Sequence, residues 1–253
     1  MRNIRLIARL DVKPPNVVKG IQLEGLRKIG NPSELANKYY TAGIDELLYI
    51  DIVASLYERN SLLGVIEEAS QDVFVPITVG GGLRNVDDVN AALRSGADKV
   101  AINTAAIKDP SIITSVARRF GSQCMVLSIE AKNNGTYMEA YYDNGREHSG
   151  LEVLDWAKRG EELGAGEIVL TSVDQEGTAN GYDVDLIRAV TDSVSIPVIA
   201  SGGMGRCEDI DNVVLNGHAD ALAMAHVLHY GIYTVEEIRE YCLANGFPVR
   251  RIL

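Results

Sequence analysis

The sequence predicts a closed (β/α)8 barrel, because short apolar runs alternate with helical patterns eight times within 253 residues. Most of these runs are dense in Val, Ile and Leu, as expected of parallel strands that are buried on both faces. Eight such units in about 250 residues match the usual size of one barrel. The predicted strands are Ile4–Leu10, Glu46–Ile50, Pro76–Val79, Lys99–Ile102, Cys124–Ile129, Glu167–Leu170, Pro197–Ala200 and Ala221–Met224.

The segments between these strands carry helix signals and two longer insertions. Pro32-Ser33-Glu34 begins a predicted helix that ends before Gly43, and Thr234 with Glu237 forms a predicted capping box. A long loop is predicted from Lys13 to Gly30, and a hairpin from Asn133 to Gly150 whose turn is Asp143-Asn144-Gly145. Both follow the carboxyl ends of strands, so they are expected to form lids or partner surfaces unless they are merely tolerated surface insertions.

An internal duplication with a period of 121 residues runs through the chain. Pro76–Gly82 aligns with Pro197–Gly203, and at an offset of 119 residues Asp11 aligns with Glu130. A repeat of this length predicts a barrel built from two similar halves. We therefore expect one domain over residues 1–253, with half-barrels at about 1–122 and 123–253.

The composition excludes several classes of protein. With 46% hydrophobic residues the chain can bury a full core, and a net charge of −11 without a basic cluster argues against nucleic acid as a partner. The three cysteines fit neither a zinc motif nor a disulfide framework, which favours a reducing, cytoplasmic compartment. No stretch of 18 apolar residues and no signal-peptide core is present, so no membrane association is expected.

Two glycine-rich strand ends, related by the duplication, predict two phosphate pockets. Glycines allow backbone N–H groups to approach an anion closely, and neighbouring amide and hydroxyl groups add donors. The first pocket comprises Gly80, Gly81, Gly82, Asn103 and Thr104. The second comprises Gly202, Gly203, Ala225 and His226. Two opposed pockets indicate a long substrate with a phosphate at each end, although a single glycine pair could equally form a tight turn without a ligand.

Between these pockets, the duplication places Asp11 opposite Glu130 across the barrel mouth. Two carboxylates in this position are suited to proton transfer at both ends of a substrate. The alternative is that Lys13, Lys132 or Arg9 neutralises them in structural ion pairs.

Four charged residues stand near strand starts, at the opposite end of the barrel. They are Arg5, Glu46, Lys99 and Glu167. Charges in a layer that is normally apolar indicate either a salt-bridged plug or a gate for a small molecule that passes along the barrel axis.

Over essentially its whole length, the chain resembles the cyclase subunit of imidazole glycerol phosphate synthase. The matching motifs are Leu10-Asp11-Val12-Lys13, Val18-Lys19-Gly20, Asp45-Glu46-Leu47, Thr78–Gly82, Lys99–Ala105, Phe120–Gln123, Gly166-Glu167, Leu170-Thr171-Ser172, Gly177-Thr178 and Ala200–Gly203. The resemblance implies a barrel that forms a heterodimer with a glutaminase docked on its bottom face. Ammonia would travel along the axis and convert a bisphosphorylated aminoimidazole carboxamide ribonucleotide to imidazole glycerol phosphate and aminoimidazole carboxamide ribotide, in histidine biosynthesis.

The resemblance also implies roles for individual residues. Asp11 would be one acid/base, and Glu130 stands where the family has an aspartate. Substrate and phosphate contacts would come from Lys19, Gly81, Gly82, Asn103, Thr104, Thr171, Glu176, Gly177, Ser201, Gly202, Gly203, Ala225 and His226, and the ammonia gate from Arg5, Glu46, Lys99 and Glu167. No metal or cofactor is expected.

Four positions at the active-site face depart from the family pattern. Arg9 replaces a cysteine, Glu130 and Glu176 replace aspartates, and His226 replaces a serine. Because the gate residues are unchanged, an alternative function is an ammonia-channelling paralogue that supports a sugar amidotransferase in surface polysaccharide synthesis. A third hypothesis is a phosphoribosyl isomerase with the same duplicated barrel. The charged gate argues against it, because an isomerase needs no ammonia.

Arg9 is the departure with the clearest structural consequence. Alternation along the first strand places Arg5, Ile7, Arg9 and Asp11 on the face that lines the barrel interior. A buried guanidinium needs a counter-ion, so we expect Arg9 to pair with Asp11 and Glu130 and to lower both pKa values.

Overall fold

A computed structural model describes residues 3–54 and 62–252, and within them eight parallel strands close into a barrel. The final barrel strand pairs with the first, and the fifth pairs with the sixth, so the ring has no free edge. Around the ring the strands are β1 (Arg5–Lys13), β4 (Glu46–Asp51), β5 (Ile77–Gly80), β6 (Lys99–Ile102), β7 (Met125–Asn133), β10 (Glu167–Ser172), β11 (Val198–Ser201) and β12 (Ala221–Met224). The predicted (β/α)8 barrel is confirmed.

Helices follow the strands and form the outer layer. They are α1 (Pro32–Thr41), α2 (Leu63–Asp72), α3 (Val86–Arg94), α4 (Thr104–Lys108), α5 (Ser111–Phe120), α6 (Val153–Glu162), α7 (Val184–Thr191), α8 (Asp209–Leu215), α9 (His226–His229) and α10 (Val235–Ala244), with a 3-10 turn at Ser122–Cys124. The Asn31 side chain accepts hydrogen bonds from two backbone N–H groups at the start of α1. The predicted capping box of Thr234 and Glu237 is present at the start of α10.

Alternation along the strands divides the apolar side chains into two layers. One large cluster fills the space between the barrel and the helices. A smaller cluster lies inside the barrel and contains Ile7, Leu48, Ala101, Val126, Val169, Ile199, Ala221 and Ala223. The barrel interior is therefore lined by an apolar layer below its mouth.

Two hairpins extend the sheet beyond the barrel. The segment predicted as a loop between Lys13 and Gly30 is instead a hairpin of β2 (Asn16–Ile21) and β3 (Glu24–Gly30). Its turn contains Gln22 and Leu23 at positive φ, residue types that give no turn signal in the sequence.

The predicted second hairpin is present, with strands β8 (Met138–Tyr142) and β9 (Glu147–Glu152). Its turn residues Asp143, Asn144 and Gly145 all have positive φ, as such turns require. Both β1 and β7 continue past their predicted ends, because they pair antiparallel with β2 and β8.

Within residues 3–54 and 62–252, no helix has the length and apolar character needed to cross a membrane. Cys124, Cys207 and Cys242 are all buried as free thiols.

The capping box yields a stability prediction. We expect Thr234→Ala to lower the free energy of unfolding by about 1 kcal/mol, because the N–H of Glu237 loses its acceptor. Urea denaturation measures this change. The control is Ser115→Ala on the exposed face of α5, which should stay within about 0.5 kcal/mol of the wild type. An equal effect of the two substitutions would contradict the capping role.

Candidate active site

Two acidic side chains face the barrel mouth from opposite walls. Asp11 lies near the carboxyl end of β1 and Glu130 near that of β7, and these strands are four positions apart around the ring in either direction. Both are buried, with 4% and 8% of their surface exposed. The structure thus places the acidic pair predicted from the duplication on opposite sides of one mouth.

Arg9 lies inside the barrel, as the strand alternation predicts. Its Nε donates to Asp11 Oδ1 at 2.8 Å, and its Nη1 donates to Thr171 Oγ1 at 2.8 Å and Ser201 Oγ at 2.9 Å. The predicted pairing of Arg9 with Glu130 is wrong, since the guanidinium is turned toward β10 and β11. Glu130 instead accepts a hydrogen bond from the backbone N–H of Gly145, in the β8–β9 turn, at 2.7 Å.

The two acids consequently have different pKa values. Burial acts to raise the pKa of Asp11, but the charges of Arg9 and Lys19 outweigh it and hold that pKa below its usual value. Burial raises the pKa of Glu130 to about 7, although the Gly145 N–H and the Arg9 charge oppose the shift. The predicted lowering is therefore correct for Asp11 and wrong for Glu130, which forms no ion pair within the described part of the chain.

The first glycine pocket is an open cavity of about 340 Å³. Gly81 and Gly82 line it with φ values of 87° and 73°. A Cβ on Gly81 would lie 2.2 Å from the Asp51 carbonyl oxygen, so only glycine fits this turn.

The remaining predicted members of this pocket also contact the β8–β9 hairpin. Asn103 Nδ2 donates to the Tyr141 carbonyl oxygen at 3.1 Å, and Thr104 Oγ1 accepts from the Asp143 N–H at 3.2 Å. The buried Asn103 Oδ1 has no hydrogen-bond partner among residues 3–54 and 62–252. Asn103 and Thr104 thus join the hairpin to the cavity rather than pointing freely into it.

The second glycine pocket retains a volume of only about 10 Å³. Its lining includes Glu176, Gly177, Ser201, Gly202, Gly203, Ala225 and His226. Lys19, on β2, forms a buried ion pair with Glu176 of this lining. Burial lowers the pKa of Lys19 to about 8, against the opposing effect of Asp11. Burial also lowers the pKa of His226, and the charge of Lys19 adds to this effect.

Sequence reasoning missed a buried histidine near Asp11, His229, and its hydrogen-bond partner Tyr39. His229 Nδ1 shares a 2.7 Å hydrogen bond with the Tyr39 hydroxyl group. Burial lowers the pKa of His229 to about 4 despite the nearby charge of Asp11. These residues lie 190 positions apart, and no motif links them.

At the opposite end of the barrel the four predicted residues form a closed ring of ion pairs. Arg5 Nη1 donates to Glu46 Oε2 and Lys99 Nζ donates to Glu167 Oε2, each at 2.8 Å. Arg5 also pairs with Glu167, and Lys99 with Glu46. A surface cavity of about 310 Å³ adjoins this ring. The ring lies at the amino ends of the strands, and its ion pairs fit both a plug and a gate.

The family profile and the individual relatives found by comparison with known proteins agree with one another. The profile of a family described as histidine biosynthesis protein matches residues 5–234. The chain is 61% identical over 213 residues to a protein of Legionella pneumophila named imidazole glycerol phosphate synthase subunit HisF, which covers 83% of this chain and 100% of that protein. A protein of Dehalococcoides mccartyi (strain ATCC BAA-2266 / KCTC 15142 / 195) with the same name is 48% identical, over 99% of this chain and 99% of that protein. A protein of Pyrococcus furiosus, also of that name, is 48% identical over 97% of this chain and 98% of its own length.

The pKa of Glu130 yields a prediction that depends on pH. In 13C NMR of glutamate-labelled protein, one carboxyl signal should titrate near pH 7, and it should be missing in Glu130→Gln. Because the folded-state pKa is raised from 4.5 to about 7, the contribution of Glu130 to stability should fall as pH rises through that interval. Glu130→Gln should remove this part of the pH dependence. Titration of every glutamate near pH 4.5 would contradict the assignment.

Proposed function

The chain belongs to the histidine biosynthesis protein family, as a HisF-type cyclase subunit of imidazole glycerol phosphate synthase, and from this premise we propose how its barrel mouth carries out the reaction. The substrate is a bisphosphorylated aminoimidazole carboxamide ribonucleotide. Ammonia derived from glutamine supplies the nitrogen that closes the imidazole ring, giving imidazole glycerol phosphate and aminoimidazole carboxamide ribotide. The observation that carries this proposal is the pair of opposed acids between two glycine pockets.

The two acids have different protonation states, which suits them to different steps. With a pKa of about 7, Glu130 is partly protonated near neutral pH and can both donate and accept a proton. Asp11 stays ionised beside Arg9 and acts as a base or stabilises positive charge that develops on the substrate. Glu130 and Asp11 are thus proposed as the catalytic residues.

The phosphates of the substrate are proposed to bind at the two pockets. Glycines at positive φ expose backbone N–H groups at both sites, and Lys19 supplies a cation at the second. The proposed substrate contacts are Lys19, Gly81, Gly82, Asn103, Thr104, Thr171, Gly177, Ser201, Gly202, Gly203, Ala225 and His226, and Glu176 lies among them as the ion-pair partner of Lys19. The similar backbone of the two glycine pairs supports the proposal that residues 1–122 and 123–253 are duplicated half-barrels of one domain.

Ammonia is proposed to enter through the ring of Arg5, Glu46, Lys99 and Glu167. Above this ring the barrel is lined by apolar side chains, where an ammonium ion would lose its hydration at a large cost. Neutral ammonia is therefore the form that passes. The cavity beside the ring supports the proposal that a glutaminase subunit docks on this face to form a heterodimer.

A second candidate function is an ammonia conduit for a sugar amidotransferase. The observation in its favour is Arg9, whose guanidinium occupies Asp11, Thr171 and Ser201, three groups that a cyclisation substrate would use. The ring of charged residues would still admit ammonia in such a conduit. For either function we propose a cytoplasmic location, which is consistent with three unpaired cysteines.

The cyclase proposal predicts a strong effect of Asp11→Asn. With ammonium salt at alkaline pH, the isolated wild-type protein should turn over the bisphosphorylated precursor, and Asp11→Asn should lower kcat by about 100-fold or more. Asp87→Asn, at an exposed position of α3, is the matched control and should leave turnover unchanged. A folded wild-type protein that binds a glutaminase but shows no turnover would favour the conduit.

The departures from the family pattern predict a gain of activity. Arg9→Cys combined with Glu130→Asp should raise ammonia-dependent kcat, because Asp11 is released from its ion pair and the opposing carboxylate moves by about 1 Å, a distance that can change rates by about 100-fold. Steady-state kinetics of the double and both single variants measure this. Unchanged or lower turnover in all three variants would show that Arg9 and Glu130 do not limit the reaction.

A further inference from the structure

The two glycine pockets differ greatly in size although their backbones are alike. Both have consecutive glycines at positive φ after a strand, yet the first cavity holds about 340 Å³ and the second about 10 Å³. Backbone conformation therefore does not explain why the second pocket is small. The difference comes from the side chains that enter it.

The carboxylate of Glu176 lies in the second pocket, against Gly202. Its Oε2 lies 3.0 Å from the point that a Cβ on Gly202 would occupy, so the carboxylate rests directly on this glycine. Only 3% of Glu176 is exposed, and its Oε1 is paired with Lys19 Nζ. The glycine backbone and the cation that would receive a phosphate are thus already engaged by an anion of the chain itself.

The β2–β3 hairpin keeps Lys19 next to this carboxylate. The backbone N–H of Gln22 donates to the Glu176 carbonyl oxygen at 2.7 Å, and Gln22 Nε2 donates to the Asp174 carbonyl oxygen at 3.1 Å. A Cβ on Gly177 would lie 2.3 Å from the Gly20 carbonyl oxygen, so the two backbones are in direct contact. The strand that carries Lys19 is therefore held against the turn that carries Glu176.

The charges around the second pocket also balance. Arg9 and Lys19 supply two positive charges, and Asp11 and Glu176 supply two negative charges. The second pocket presents a net positive charge to a phosphate dianion only if the Glu176 carboxylate moves away from Lys19. By the period of 121 residues, the position equivalent to Glu176 in the first half is Ser55, which has no carboxylate.

We propose that Glu176 is a specificity-determining residue whose carboxylate competes with the second phosphate of the substrate for Lys19 and Gly202. This inference rests on the proposed function only for the identity of the substrate. A phosphate binds in the second pocket by displacing the carboxylate into solvent and taking its place at Lys19. The wild-type protein therefore gains little affinity from a second phosphate, and the first pocket supplies most of the anion binding.

The first experiment uses inorganic phosphate and does not depend on the proposed function. Isothermal titration calorimetry of the full chain should show one phosphate bound to the wild type in the millimolar range and two bound to Glu176→Gln. The matched control is Glu147→Gln, which removes the same charge from an exposed position on β9 and should still bind one. One phosphate bound to both variants would overturn the proposal.

The second experiment uses the bisphosphorylated precursor without ammonia or glutamine, so that no turnover occurs. Glu176→Gln should lower its Kd by about tenfold or more, and Glu147→Gln by less than about twofold. An unchanged or higher Kd in Glu176→Gln would show that Glu176 assists binding. If no variant binds the precursor but Glu176→Gln still binds a second phosphate, the proposed function fails and the competition by Glu176 stands.

Glu176→Gln leaves the buried Lys19 without its counter-ion and can therefore destabilise the fold. A third variant tests the competition while it retains this charge. Glu176→Asp keeps the charge and withdraws it from Gly202 by one methylene group. We expect Glu176→Asp to bind the precursor with a Kd between those of the wild type and Glu176→Gln. Thermal unfolding of each variant identifies any loss of the fold, and a Kd for folded Glu176→Asp equal to or above that of the wild type would contradict the competition.

Discussion

The buried guanidinium of Arg9 is the constraint on which the arrangement of the barrel mouth depends. A permanent positive charge that is 3% exposed must find acceptors, and it finds them on three strands, at Asp11, Thr171 and Ser201. These bonds tie β1 to β10 and β11 across the mouth. They also fix Asp11 as a carboxylate, and they occupy the hydroxyl groups of Thr171 and Ser201.

The same guanidinium explains why two acids at equivalent positions behave differently. Asp11 contacts the charge directly, whereas Glu130 lies on the opposite wall with the Gly145 N–H as its hydrogen-bond donor. A neutral donor offsets less of the cost of burying a carboxylate than a cation does, so the pKa of Glu130 rises to about 7. Opposite walls of one barrel thus hold one ionised acid and one acid whose pKa lies near neutral pH.

The hairpins extend this asymmetry to the pockets. The β8–β9 hairpin contacts Asn103, Thr104 and Glu130 and leaves the first pocket open, whereas the β2–β3 hairpin brings Lys19 to Glu176 and the second pocket closes. Backbone groups of the β8–β9 hairpin and a charged side chain of the β2–β3 hairpin thus reach the same mouth. At the other end, four charges form a ring in which every member has two partners of opposite sign.

The sequence by itself determined the barrel, the opposed positions of Asp11 and Glu130 and the four-residue ring, because each follows from strand alternation or from a position at a strand end. It did not determine the β2–β3 hairpin, since Gln22 and Leu23 carry no turn signal. Strand alternation already indicated the pair of Arg9 and Asp11, but only the tertiary structure decided the other partners of the buried cations. Arg9 reaches Thr171 across 162 residues of sequence and Lys19 reaches Glu176 across 157, and such pairings depend on distances between strands that no local pattern encodes.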